Sequence, residues 1–191
     1  MCWRRTVPSK SKTKGNAAER EVAKILSAWF GEDFKRVPNS GALRWGGVSW
    51  VYGDLLPPES FPGIIESKHY AEIDFDGLLR LKATDHNPLG WWGQVVSDVV
   101  RCYGDTGLAL QPVLVFKANR RPRRIALEER FCVALTKECP AMRAATYLVL
   151  NRPEFLGRVV VMDLEEFLGI VDSESFVQAA KLSFPTCLPM D

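Results

Sequence analysis

Three stretches carry side chains able to act together on an anionic substrate: Gly53-Asp54, Glu66-Ser67-Lys68 and, upstream, Glu19. Residues two apart on a strand share a face. A strand through Glu66-Ser67-Lys68 therefore sets the carboxylate and the ammonium on one side and Ser67 on the other. With Asp54 ending a neighbouring strand beside Glu66, two carboxylates and a lysine converge. Close carboxylates repel and favour a bound cation. Their hard oxygens suit Mg²⁺, or Mn²⁺ in its place. Such a cation polarises a phosphate and lowers the pKa of bound water, and a lysine orients that water or stabilises charge developing on the phosphate. That is the chemistry of phosphodiester hydrolysis. The competing reading is a cross-strand salt bridge on a half-exposed sheet, because Asp…Glu-x-Lys alone is a weak pattern.

These groups need elements to position them. Ala18, Val22, Ile25, Leu26 and Trp29 recur at helical spacing, which predicts an amphipathic helix capped by Asn16 and ending before Gly31. Glu19 lies about 20° beyond Leu26 at ~100° per residue, at the margin between core and solvent, with Arg20 pointing away from the core. An extended piece at 33–37 leads into the turn Pro38-Asn39-Ser40-Gly41, and residues 48–55 have strand-like composition. Prolines and Gly63 then bracket a turn before a second strand at 64–70. Trp92, Val95, Val96, Val99 and Tyr103 predict another helix, and Pro112–Lys117 a short apolar strand. Helix then strand after a hairpin implies a crossover onto a mixed sheet. Further on, 147–150 and 159–162 read as strands, Asp163 caps a short helix through Leu168, and the tail with Pro185 and Pro189 is irregular.

The chain has 191 residues, 47% hydrophobic and 25% charged, the balance of one globular domain. No apolar run approaches the ~18 residues of a membrane span. The basic start has no apolar stretch behind it, and the five cysteines show no C-x-x-C spacing. Both point to a reducing, cytoplasmic setting, the host cytoplasm if the chain is virus-encoded. Net charge is only +2, but it is unevenly placed: Arg4, Arg5, Lys10, Lys12 and Lys14 precede the first acid, and Lys117, Arg120, Arg121, Arg123 and Arg124 form a second cluster. Such clusters fit a phosphate backbone or, equally, a solvated tail and loop.

Lys14-Gly15-Asn16-Ala17-Ala18-Glu19-Arg20-Glu21 resembles the K-G-x-x-x-E-R-E signature of archaeal-type (Hjc-like) Holliday-junction resolvases, a branch of the PD-(D/E)xK nuclease superfamily. Arg36 with Asn39-Ser40-Gly41, then Gly53-Asp54-Leu55, Ile65-Glu66-Ser67-Lys68 and Pro112–Lys117 are similar to its later motifs, in the same order over residues 14–120. The resemblance implies an α/β, restriction-endonuclease-like mixed sheet flanked by helices, with a C-terminal extension. It divides the chain into a basic mobile arm (1–14), a nuclease core (15–125) and an extension on the same domain (126–191). By resemblance Asp54 and Glu66 are metal ligands assisted by the Ser67 carbonyl, Lys68 is the catalytic lysine, and Glu19 is a further catalytic and metal-binding acid. Lys14, Arg20, Arg36 and Ser40 would contact DNA, as would Arg120, Arg121, Arg123 and Arg124 from their loop. The implied protein is a Mg²⁺-dependent homodimer that resolves branched DNA, the four-way junction, and has no membrane partner. A restriction- or repair-type endonuclease on the same core is the alternative. So is a non-catalytic DNA-binding protein on a decayed nuclease scaffold, although Glu19, Asp54, Glu66 and Lys68 are all present.

Overall fold

The computed structural model describes residues 10–37, 52–152 and 157–189. Helix α1 (Lys10–Phe30) begins well before the cap expected at Asn16, so residues 10–14 belong to the helix. Lysine is a good helix former and no proline interrupts this stretch. Asn16 consequently sits inside the helix, where its Oδ1 accepts a hydrogen bond from Arg36 Nη2 at 2.6 Å. The helix stops as expected, at Gly31 in the left-handed region (φ +84°).

Strand β1 (Lys35–Arg36) pairs antiparallel with β2 (Leu55–Leu56), and β2 pairs antiparallel with β3 (Gly63–Tyr70). Ser40 and residues 48–51 of the expected strand lie outside the described residues. After the short α2 (Phe75–Leu79), helix α3 (Pro88–Thr106) crosses over to β4 (Gln111–Ala118), which runs parallel to β3. Helix α3 starts earlier than its valine stripe alone indicates. Asn87 caps it by accepting from the Gly90 amide, Pro88 occupies its first turn, and Gly107 closes it at φ +74°.

The chain then adds β5 (Arg124–Glu128), α4 (Glu129–Glu138), a 3₁₀ turn (Pro140–Ala144), β6 (Tyr147–Arg152), β7 (Gly157–Asp163), α5 (Leu164–Ile170) and α6 (Ser173–Leu182). The result is one seven-stranded mixed sheet in the order β1-β2-β3-β4-β5-β7-β6. This is the helix-flanked α/β sheet that the sequence implies. The expected boundary at residue 125 falls within β5, so the C-terminal part continues the sheet. Asp163 caps α5 as expected, accepting from the Glu165 and Glu166 amides.

Each face of the sheet has its own core. Ile65, Val113 and Val115 pack towards α1, α4 and α6; Ile64, Leu114 and Phe116 pack under α3 with both indoles, Trp91 and Trp92. Central strands covered on both faces read as near-continuous apolar runs, which explains Pro112–Phe116. Phe176 of α6 ties the C-terminal part to the N-terminal one. Its ring stacks on Phe61 with centroids 5.1 Å apart and meets Trp29 edge-on at 5.6 Å. Trp29 Nε1 also donates to the Val171 carbonyl at 2.7 Å. Phe176→Ala should therefore destabilise the whole domain by about 3–5 kcal/mol, as a single cooperative transition in urea. Loss of α6 alone, with the rest unfolding as in the wild type, would contradict that linkage.

Candidate active site

The site is built around one tight turn. Gly53 has φ +72°, and a Cβ there would stand 2.5 Å from the Ile65 carbonyl oxygen, so the turn excludes any side chain. The following amide, of Asp54, donates to that same Ile65 oxygen at 2.9 Å, and the Asp54 carbonyl accepts from Val37 at 3.0 Å. Asp54 is thereby laid against the middle of β3. Its Oδ2 accepts from the Ser67 amide at 3.0 Å.

Glu66 and Lys68 share the face of Ile64, and Ser67 has the other, as period-two alternation requires. Lys68 Nζ pairs with Glu66 and lies 3.9 Å from Asp54 Oδ2. Both acids are 7% exposed. Burial, and then the charge of Asp54, push the Glu66 carboxyl up to about 7, with Lys68 pulling the other way. Burial works against the Lys68 ammonium, but Glu66 and Asp54 outweigh it and hold its pKa above the usual lysine value. Two buried carboxylates thus share a single cation.

Glu19 is not brought into this group. Its carboxylate is paired with Arg36, which also holds Asn16, so both charges fasten α1 to β1. Among the described residues no group of three His, Cys, Asp or Glu is gathered to hold a metal. Arg20 is exposed on α1, and the Lys14 side chain lies outside the described residues. The basic run at 120–124 divides. Arg120 and Arg121 are exposed at the β4–β5 turn. Arg123, 11% exposed, pairs with Glu21 at 2.5 Å. Arg124, inside β5, pairs with Asp163. These two guanidiniums link elements together, and β5 begins within the run rather than after it.

Asp98 of α3 is the neighbour that spacing alone does not single out. Its Oδ2 accepts from the Gly53 amide at 2.8 Å and its Oδ1 from Arg101 at 2.6 Å. The signal was faint. At ~100° per residue it falls about 20° outside Trp91, at the edge of the buried stripe. His69 remains half-buried on β3, with Nε2 3.2 Å from Asn119 Oδ1.

The donor set fits a hard divalent cation. Asp54 and Glu66 supply carboxylate oxygens, and once both are ionised, two buried negative charges opposed by one ammonium leave a charge that a cation compensates. A family model described as "phage putative PDDEXK endonuclease" matches residues 10–178. No curated protein and no solved structure matches the chain.

Between pH 4.5 and about 7 the folded protein keeps a proton on Glu66 that the unfolded chain has released. Folding stability linked to this group therefore falls as pH rises through that window. In thermal unfolding of the metal-free protein, the wild type should lose stability relative to Glu66→Gln between those limits. Parallel pH profiles for the two proteins would contradict the burial argument.

Proposed function

The chain belongs to the phage PDDEXK endonuclease family, and from that premise we propose that it is a divalent-metal-dependent DNA endonuclease acting on four-way junctions. The nuclease reading is carried by one observation: Asp54 and Glu66 are buried together, with Lys68 on the same face of β3. A salt bridge needs one acid per lysine. A second buried carboxylate beside it adds cost unless it takes up a proton or a further cation is bound.

Asp54 and Glu66, with the Ser67 carbonyl, would hold the metal, Mg²⁺ with Mn²⁺ able to substitute. When bound, the metal supplies a Lewis acid that polarises the scissile phosphate and acidifies a water. Lys68 keeps Nζ beside both carboxylates, where it orients the attacking water and stabilises charge growing on the phosphate. The Ser67 amide fixes the Asp54 carboxylate, so the ligand is set before substrate arrives. Glu19 in this reading anchors α1 through Arg36 rather than ligating the metal. Exposed Arg20, Arg120 and Arg121 are among the cations that the described residues offer to the DNA backbone.

The junction substrate and a homodimer that cuts opposed strands rest on the resemblance of residues 14–120 to junction resolvases. A phage family is consistent with a reaction in the host cytoplasm, and among the described residues no helix is long and apolar enough to cross a membrane.

A denaturing gel of labelled four-way junction, linear duplex and single strand, with Mg²⁺ or EDTA, tests this directly. Paired symmetric cuts in the junction alone, and only with Mg²⁺, are expected. Cutting of linear duplex would keep the nuclease site but replace the junction with a restriction- or repair-type substrate. Salt-sensitive binding without cutting would indicate a decayed scaffold. Asp54→Asn should abolish cleavage and preserve DNA binding. Lys68→Ala should lower kcat by about 10²–10³-fold with metal binding intact, and normal cutting by this variant would remove Lys68 from the mechanism.

A further inference from the structure

The residue immediately before the Asp54 ligand is held from the other side of the site. Gly53 can neither be replaced sterically nor leave its amide unpaired in a half-buried turn. The neighbouring amide, of Asp54, is used by the Ile65 carbonyl, whereas that of Gly53 points to α3 and is taken by Asp98 at 2.8 Å. The Asp98 side chain is 21% exposed, so the bond is shielded from most of the solvent. Its second oxygen accepts from Arg101 at 2.6 Å, which fixes the carboxylate's rotation. Arg101 in turn lies 5.3 Å from the Tyr52 ring centroid, and the Tyr52 hydroxyl donates to Asp105 at 2.6 Å. One face of α3 therefore grips residues 52 and 53 through Asp98, Arg101 and Asp105.

This grip is not needed to dock α3. Val95 and Val99 are fully buried and Cys102 nearly so, and that stripe already seats the helix on the sheet. What Asp98 adds is a fixed peptide orientation one residue before a catalytic carboxylate. We propose that Asp98 is a positioning residue for Asp54: by holding the Gly53 amide it fixes the turn that sets Asp54 against the Ser67 amide, ready to ligate a metal. The assignment rests on the nuclease reading and deepens it by adding a support from α3. Partners of this kind commonly change metal affinity or activity by about 10–100-fold.

The test compares wild type, Asp98→Ala, Asp98→Asn and Arg101→Ala in the full chain. Three quantities are read: amide hydrogen exchange at Gly53 in the metal-free protein, the Kd for Mn²⁺, and kcat and KM for DNA cleavage. In Asp98→Ala the Gly53 amide should exchange faster, Mn²⁺ should bind about 10–100-fold more weakly, and kcat should fall in that range with KM for DNA unchanged. Asp98→Asn keeps an acceptor oxygen and should recover most of all three. Arg101→Ala leaves Asp98 in place but free to rotate, and should show the same pattern at smaller size even if Asp98→Ala does not fold. Unchanged Gly53 protection in Asp98→Ala, or faster exchange with wild-type kcat and Kd, would overturn the proposal. Equal damage in Asp98→Asn would overturn it as well, by making the negative charge rather than the hydrogen bond the active feature. A wild-type protein that cuts no DNA would remove the nuclease reading and this assignment together, whereas an active wild type with an equally active Asp98→Ala would remove this assignment alone.

Discussion

Asp54 and Glu66 are both buried, and a single ammonium, Lys68, stands between them. Burial of like charges is tolerable only when the surroundings supply hydrogen bonds and opposite charge in fixed places. The neighbouring elements can be understood as meeting that demand. β3 is an interior strand, paired with β2 and β4, so its backbone is rigid where Ser67 donates to Asp54. The Gly53 turn brings Asp54 against that amide at a separation no other residue type allows. Helix α3, seated by apolar packing on the face that Glu66 shares, holds the turn from the far side. Helix α1 covers the opposite face, which accounts for Glu19 pairing with Arg36 instead of joining the two acids.

The C-terminal elements extend this arrangement. β5 pairs with β4, and β7 and β6 continue the sheet outward. Glu128, buried at the end of β5, accepts from the Thr186 amide at 3.0 Å and from its hydroxyl at 2.9 Å, which draws the tail back onto the domain. Arg123 reaches across to Glu21, so the β4–β5 hairpin and α1 are held in register by a partly shielded ion pair. The family match, which runs to residue 178, covers β5, β6 and β7 together with the nuclease motifs.

What was legible in the sequence and what was not divides along physical lines. The Glu-x-Lys strand and the apolar β4 strand were readable because each depends on a local rule, alternation and two-sided burial, whereas Gly53-Asp54, expected within a strand over 48–55, forms a turn at positive φ before a strand of only Leu55–Leu56. The start of α1 was misplaced because a good capping residue, Asn16, was available but tertiary contact with Arg36 used its side chain differently. The arginines at 123 and 124 looked like a solvated or DNA-facing run, since nothing local announces that Glu21 and Asp163 wait for them. β5, with Ile125, Ala126 and Leu127 between charged residues, was too short to stand out from that run. Asp98 escaped notice for the same reason: its partner is a backbone amide distant in sequence, and backbone donors leave no mark on composition.

The central claim is that Asp54 and Glu66 form a divalent-cation site, and that below about pH 7 the cation displaces a proton that burial keeps on Glu66. Calorimetric titration of Mn²⁺ into the metal-free protein at about pH 6, repeated in buffers of different ionisation enthalpy, measures binding and proton release together. The account predicts binding with release of close to one proton, and loss of that binding in Asp54→Asn and Glu66→Gln. Absence of binding, or binding that both variants retain, would contradict it.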